Sequence, residues 1–203
     1  MAGHGDDDRG DDRRGANDRG DDRRGANDPA SQADRRRPAT VQETKALAHP
    51  LRLRILRLCA DQQLTNKQLA DRLGRDPATI YYHVRRLTAV GFLEAAPVRS
   101  GSSGALEKPY RSTQNTWWLD NPLAQAGTDA SLNMLEAFQD ELHDAGPGAV
   151  KWINRFMLHL SAEDVVELEQ RILAVLDEYV ETDRQRLDHS AHGGIVVLHE
   201  LPE

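Results

Sequence analysis

Cysteine is nearly absent from this chain: Cys59 stands alone among 203 residues. A single thiol makes no intramolecular disulfide and no Cys-rich zinc site, and it fits a reducing compartment. Long apolar runs are missing too. No stretch approaches the roughly 18–20 residues that span a bilayer, and the N-terminus has neither the basic start nor the apolar segment of a secretory signal. The expectation is a soluble, cytoplasmic protein. Gly-rich phosphate loops, a serine elbow, a Cys/His nucleophile arrangement and an HExxH helix are absent as well, so no enzyme is expected. Residues 1–37 contain no Leu, Ile, Val or aromatic side chain. With nothing apolar to offset a backbone ordering cost of about 1–2 kcal/mol per residue, this segment is expected to be a disordered tail. Within it RGDDRRGAND at 9–18 recurs unchanged at 19–28. Arg35, Arg36 and Arg37 are the part most able to meet a phosphate, and removal of residues 1–37 is expected to leave thermal stability unchanged.

What is present is an uneven charge. The net charge of −7 hides a seam: residues 1–37 carry 9 basic and 10 acidic groups, residues 38–111 carry 12 and 6, and residues 112–203 carry 5 and 17. A basic middle inside an acidic chain points to a polyanion-binding module joined to a region that does not bind polyanions. Three parts are therefore expected: the tail, a module at 38–113 and a helical region at 114–203.

The basic module reads as helices punctuated by caps. Val41, Ala46 and Leu47 lead to His49-Pro50, where Pro opens a helix at its first position. Leu51, Ile55 and Leu58 recur at i, i+4, i+7, with Arg52, Arg54 and Arg57 turned away and Cys59 at the edge as a buried thiol. Thr65 caps a short helix ending near Gly74. Asp76 and Pro77 open another, with Ile80, Val84 and Leu87 as its apolar side and Gly91 at its end. Two short helices joined by a glycine turn make a helix-turn-helix. The second helix turns Ala78, Tyr82, Arg85, Arg86 and Ala89 outward, flanked by Thr79 and Tyr81, a small, aromatic and cationic face suited to a major groove. Residues 92–98 and 107–113 then read as two strands around a Gly-Ser-Ser-Gly tip, with Pro97 and Pro109 at strand ends or an edge and Arg99, Lys108 and Arg111 along the hairpin.

Three stretches, ALAHPLRLRIL at 46–56, LTNKQLA at 64–70 and TIYYHVRRLTAVGFL at 79–93, together resemble the arsenic-repressor (ArsR-like) superfamily of winged helix-turn-helix transcription regulators. The resemblance covers about residues 40–113 and implies a homodimer on double-stranded DNA, reading two half-sites, with repression as the family's usual outcome and the nucleoid as its site when bound. It places Thr79, Tyr81, Tyr82, His83 and Arg85 at the DNA; Arg86 and the wing cations Arg99, Lys108 and Arg111 complete the candidate set. The chain departs from the metal-sensing members, because the helix before the recognition helix has no cysteine. It continues about 90 residues beyond the wing, as in larger members with an effector domain.

In that acidic region Trp117-Trp118-Leu119 reads as a brief strand. Leu132, Leu135, Phe138 and Leu142 give one helix, and Val150, Trp152, Ile153, Phe156, Met157 and Leu160 a second. Ser161 with Asp164 opens a third, which carries two adjacent apolar stripes suited to a core and a dimer interface. Ile195 to Leu198 reads as a strand beside the Trp117 run. Trp117, Trp118, Trp152 and Phe156 are candidates to line a small-molecule effector pocket, though aromatics at helical spacing are usually core. His189 and His192 are the weak metal candidates beside the plainer reading of a polar helix end; no metal or cofactor is expected. The fold class is thus mainly α with a small β component (α+β). The function expected is a dimeric, sequence-specific DNA-binding transcriptional regulator with a region for effector response. The alternatives are a winged-helix module for protein contacts and a metal-responsive regulator using C-terminal His and Asp ligands.

Overall fold

A computed structural model describes residues 35–101, 104–123 and 126–202; the tail through residue 34 and the repeat within it lie outside the described residues. Six α-helices and six short strands make a mixed α+β fold among those residues. Helix α1, Val41–Leu47, begins in a reciprocal capping box between Thr40 and Glu43. Helix α2, Pro50–Asp61, starts at Pro50 with the His49 ring accepting the Leu51 N–H. Helix α3, Asn66–Leu73, has a second capping box, Thr65 with Gln68. It stops at Gly74, whose φ of 58° is left-handed and cheap only for glycine. Helix α4, Pro77–Ala89, follows at once: the Asp76 carboxylate accepts the Ala78 and Thr79 N–H groups at 2.9 and 3.1 Å, filling the first turn's orphan donors.

These four helices close over one core. Ile55, Leu69, Ile80, Val84 and Leu87 are fully buried, with Phe92 and Leu93 beneath them; burial of each contributes about 1.5–3 kcal/mol. Cys59 is 1 % exposed, and burial pushes its thiol up to about 12, so it is an inert core side chain. The wing is antiparallel: β2, Leu93–Ala95, pairs with β5, Tyr110–Ser112, and β3, Arg99–Ser100, pairs with β4, Leu106–Glu107. Pro97 and Pro109 fall in the gaps between these pieces, and one bond, Ala96 N–H to the Pro109 carbonyl, carries the ladder across the gap. Leu64 bridges Tyr110 from the other side, anchoring the wing to the helices.

Beyond the wing the structure corrects several expectations. Residues 115–118 form one turn of 3₁₀ helix and only Leu119–Asp120 is a strand, β6. Its partner is not Ile195–Leu198 but β1, Arg37–Pro38, in a parallel pair; residues 195–198 are in no strand. Helix α5, Thr128–Ala145, is as expected and packs on α2 through Ala130 and Ala137. Residues 150–160 are not a helix, and every one of them faces solvent. Helical spacing alone does not fix the conformation. Helix α6, Ala162–Glu181, begins in the Ser161–Asp164 capping box read from the sequence.

Candidate nucleic-acid interface

Helix α4 presents an outward face built by its own periodicity. With Ile80, Val84 and Leu87 pinned in the core, Ala78, Thr79, Tyr81, Tyr82, Arg85 and Arg86 are left in solvent. Tyr81 is 49 % and Tyr82 53 % exposed, far more than a core aromatic keeps. Each arginine lies over the tyrosine four residues earlier, Arg85 over Tyr81 at 5.9 Å and Arg86 over Tyr82 at 5.6 Å, and Arg86 Nε donates to the Tyr82 hydroxyl at 3.3 Å. Among the described residues neither arginine has a carboxylate partner. Two ordered, uncompensated guanidiniums beside two phenols are equipped for base edges and phosphates.

His83 does not join them. It is 6 % exposed and its ring stands 4.6 Å from that of His49, with Arg52 Nη1 3.5 Å from Nδ1. Burial, then His49 and Arg52, lower its pKa to about 4, so it is neutral in the fold. The sequence reading that set His83 at the DNA is thereby corrected: position 83 falls one turn after Thr79 but on the core side of the helix.

On the wing the structure brings Arg99 and Arg111 to carboxylates. Arg111 pairs with Glu94 at 2.6 Å and Arg99 with Glu107 at 3.3 Å, each across the ladder rung that the register makes opposite. Lys108 has no such partner among the described residues and rests 5.9 Å from the Tyr110 ring. Two further cations, Lys67 on α3 and Arg75 in the turn before α4, are exposed. The sequence reading did not name them as site residues, although Arg75 follows the Gly74 turn directly.

The arginines on the rear of the module are neutralised. Arg54 reaches Asp140 at 3.1 Å and also Asp144, and Arg57 lies 3.7 Å from Glu141, all on α5. Nor are Arg35, Arg36 and Arg37 free for phosphate: Arg35 pairs with Glu181, Arg37 with Glu43 at 2.6 Å, and Arg36 with Asp177 at 2.7 Å. Asp177 is fully buried, accepting two Arg36 bonds and the Trp117 indole N–H at 2.7 Å. Burial pushes its carboxyl up, but Arg36 and Trp117 outweigh it and hold the group below its ordinary value. Arg36 also lies over the Trp117 and Trp118 rings.

The four aromatics expected at an effector pocket are not gathered. Trp152 is 78 % and Phe156 55 % exposed, and Trp118 lies under Arg36. Trp117 alone of them borders a cavity of about 440 Å³, bounded by Leu53, Leu56 and Arg57 of α2, Met134 and Phe138 of α5, and Ile195. His189 approaches Asp188 at 3.8 Å and His192 contacts the Ser190 carbonyl; no group of three His, Cys, Asp or Glu is placed to hold a metal among the described residues. No helix among those residues is long and apolar enough to cross a membrane.

No curated protein matches the chain. Two solved structures are similar to it: a cysteine-to-serine variant of ZitR from Lactococcus lactis, at 14 % identity over 70 % of this chain and 75 % of that one, with a TM-score of 0.27, and the adhesin competence repressor AdcR from Streptococcus pyogenes, at 19 % identity over 74 % and 82 %, with a TM-score of 0.28. Residues 47–95 match the model of a helix-turn-helix domain. That match spans α2, α3, α4 and the first wing strand, the elements that raise the cationic face, and identifies residues 47–95 as a helix-turn-helix domain.

Proposed function

We propose that this regulator is an ArsR-like repressor that acts as a homodimer, each copy laying α4 in a major groove. The observation that carries the reading is the uncompensated Arg85/Arg86 and Tyr81/Tyr82 face. Arg85 is the candidate for a bidentate guanine contact, Thr79, Tyr81 and Tyr82 for base edges or phosphate, and Arg86 for the backbone. Lys108 holds the flanking sugar-phosphate chain from the wing, with Arg99 and Arg111 beside it, and Lys67 and Arg75 join the same rim. Residues 38–113 serve as the DNA-binding module, and residues 114–203 serve dimerisation and effector response. No catalytic role is assigned to any residue, and the cytoplasm is the compartment that suits a DNA-bound regulator.

A second reading concerns the effector. The cavity between α2 and α5 is apolar with the Arg57–Glu141 pair at its edge, which suits a small apolar molecule bearing one polar group. Its position beside α2 gives a ligand direct purchase on the DNA-binding core.

The test is binding of the full chain to duplex DNA from upstream of its own gene against scrambled duplex. Selective binding, lost in the Tyr82→Ala/Arg85→Ala double variant, supports the reading. Equal binding to both duplexes, followed by a genome-wide selection that finds no site, would favour a winged helix that contacts protein.

A further inference from the structure

The segments on either side of α6 carry apolar side chains into water. Residues 150–160 and 190–202 run without helix, turn or bend. In the first, Trp152 is 78 %, Ile153 85 % and Met157 66 % exposed; in the second, Val196, Val197 and Leu198 are exposed. Among the described residues, residues 150–160 and 193–198 make no backbone hydrogen bond. Backbone with both its N–H and C=O groups free, bearing Trp, Ile, Phe and Val, can serve as a template for another strand.

Two observations say what covers it. The first is charge: residues 151–160 hold Lys151 and Arg155 and no acid, whereas residues 194–203 hold Glu200 and Glu203 and no Lys or Arg. Each segment therefore complements the other, and a two-fold axis brings the basic segment of one copy to the acidic segment of its mate, twice. The second is area. At roughly 150–200 Å² for a fully exposed large side chain, the apolar residues of the two segments present on the order of 900 Å² per chain, against roughly 800 Å² per partner in a standard interface. Within one chain the segments sit at opposite ends of the 20-residue helix α6 and share no strand pairing among the described residues.

We propose that residues 151–160 and 194–201 are the strands of an intersubunit sheet, formed when a second copy of the chain supplies the pairing that the first leaves open. The proposal rests on the dimeric reading and locates its interface. Hydrogen exchange on the full chain, run with light scattering above and below the concentration at which it dissociates, tests it. The expected result is a dimer whose amides in both segments are protected, with protection lost on dilution. Ile153→Lys weakens association about tenfold, and Arg155→Glu about threefold, with recovery on adding Glu200→Arg; an unchanged thermal melt reports that each variant is folded. A dimer with fast-exchanging segments overturns the sheet and leaves the dimeric regulator standing. Protected segments in a monomer mean pairing within one chain and overturn the second copy as occupant. A monomer with fast exchange overturns both the sheet and the dimer.

Discussion

His83 shows how one side chain on the recognition helix answers to the core instead of the ligand. Its pKa of about 4 in the fold lies below the ordinary value of about 6.5. Between those values the unfolded chain binds a proton that the folded chain refuses, so the contribution is complete above pH 6.5 and is lost as pH falls towards 4, on the order of 3 kcal/mol in all. Melting temperature is therefore expected to drop over that window, and His83→Leu to make the slope shallower; an unchanged slope would remove His83 from the account. His49, lowered by the same burial, supplies the remainder. Arg85 sits on the same helix with the opposite commitment. Arg85→Ala is expected to cost about 1–3 kcal/mol of specific binding with scrambled DNA barely affected, and equal loss on all sequences would move it to phosphate.

At the scale of elements, what could be read in advance was what neighbouring residues decide. Thr65, Asp76 and Ser161 were recognisable as caps because a cap is a contact between residues two or three apart. Pro97 and Pro109 likewise announced the interruptions of the wing. The 150–160 segment was not legible: Trp152, Ile153, Phe156, Met157 and Leu160 recur at helical spacing, and nothing nearby supplies a cap to fix a helix start. Capping also makes a prediction. Asp76→Ala strips two acceptor contacts from the first turn of α4 and is expected to lower stability by about 1 kcal/mol in denaturant unfolding. Gly74→Ala, forced to a φ of 58°, is expected to cost a similar amount, about 1 kcal/mol.

Across the whole molecule, the charge seam in the sequence turns out to be a hinge of ion pairs. Arg54 and Arg57 spend their charge on α5, and the three arginines that end the tail spend theirs on α1 and α6. Arg36 and Asp177 are 141 residues apart, a distance at which no local pattern operates, so the pairing of Arg36 was not legible in composition. Deletion of residues 1–34 is expected to leave the melting temperature unchanged, whereas deletion through residue 37 lowers it by stranding the buried Asp177 carboxylate. Asp177→Ala strands Arg36 in the same way, at about 3 kcal/mol. Equal melting temperatures for the two deletions would show the buried pair to be dispensable.

The cross-strand pairing of the wing arginines reaches further than the wing. A guanidinium already matched to Glu94 or Glu107 holds little condensed anion and draws little from a phosphate. DNA association releases about 0.9 counterion for each phosphate neutralised. Arg99 and Arg111 should then add almost nothing to the dependence of log K on log salt, while Arg86 and Lys108 set it. Converting Glu94 and Glu107 to Gln would turn two silent cations into active ones, steepening that dependence by about 2 per subunit and tightening the hold on every duplex alike: the two carboxylates act as a brake on indiscriminate binding.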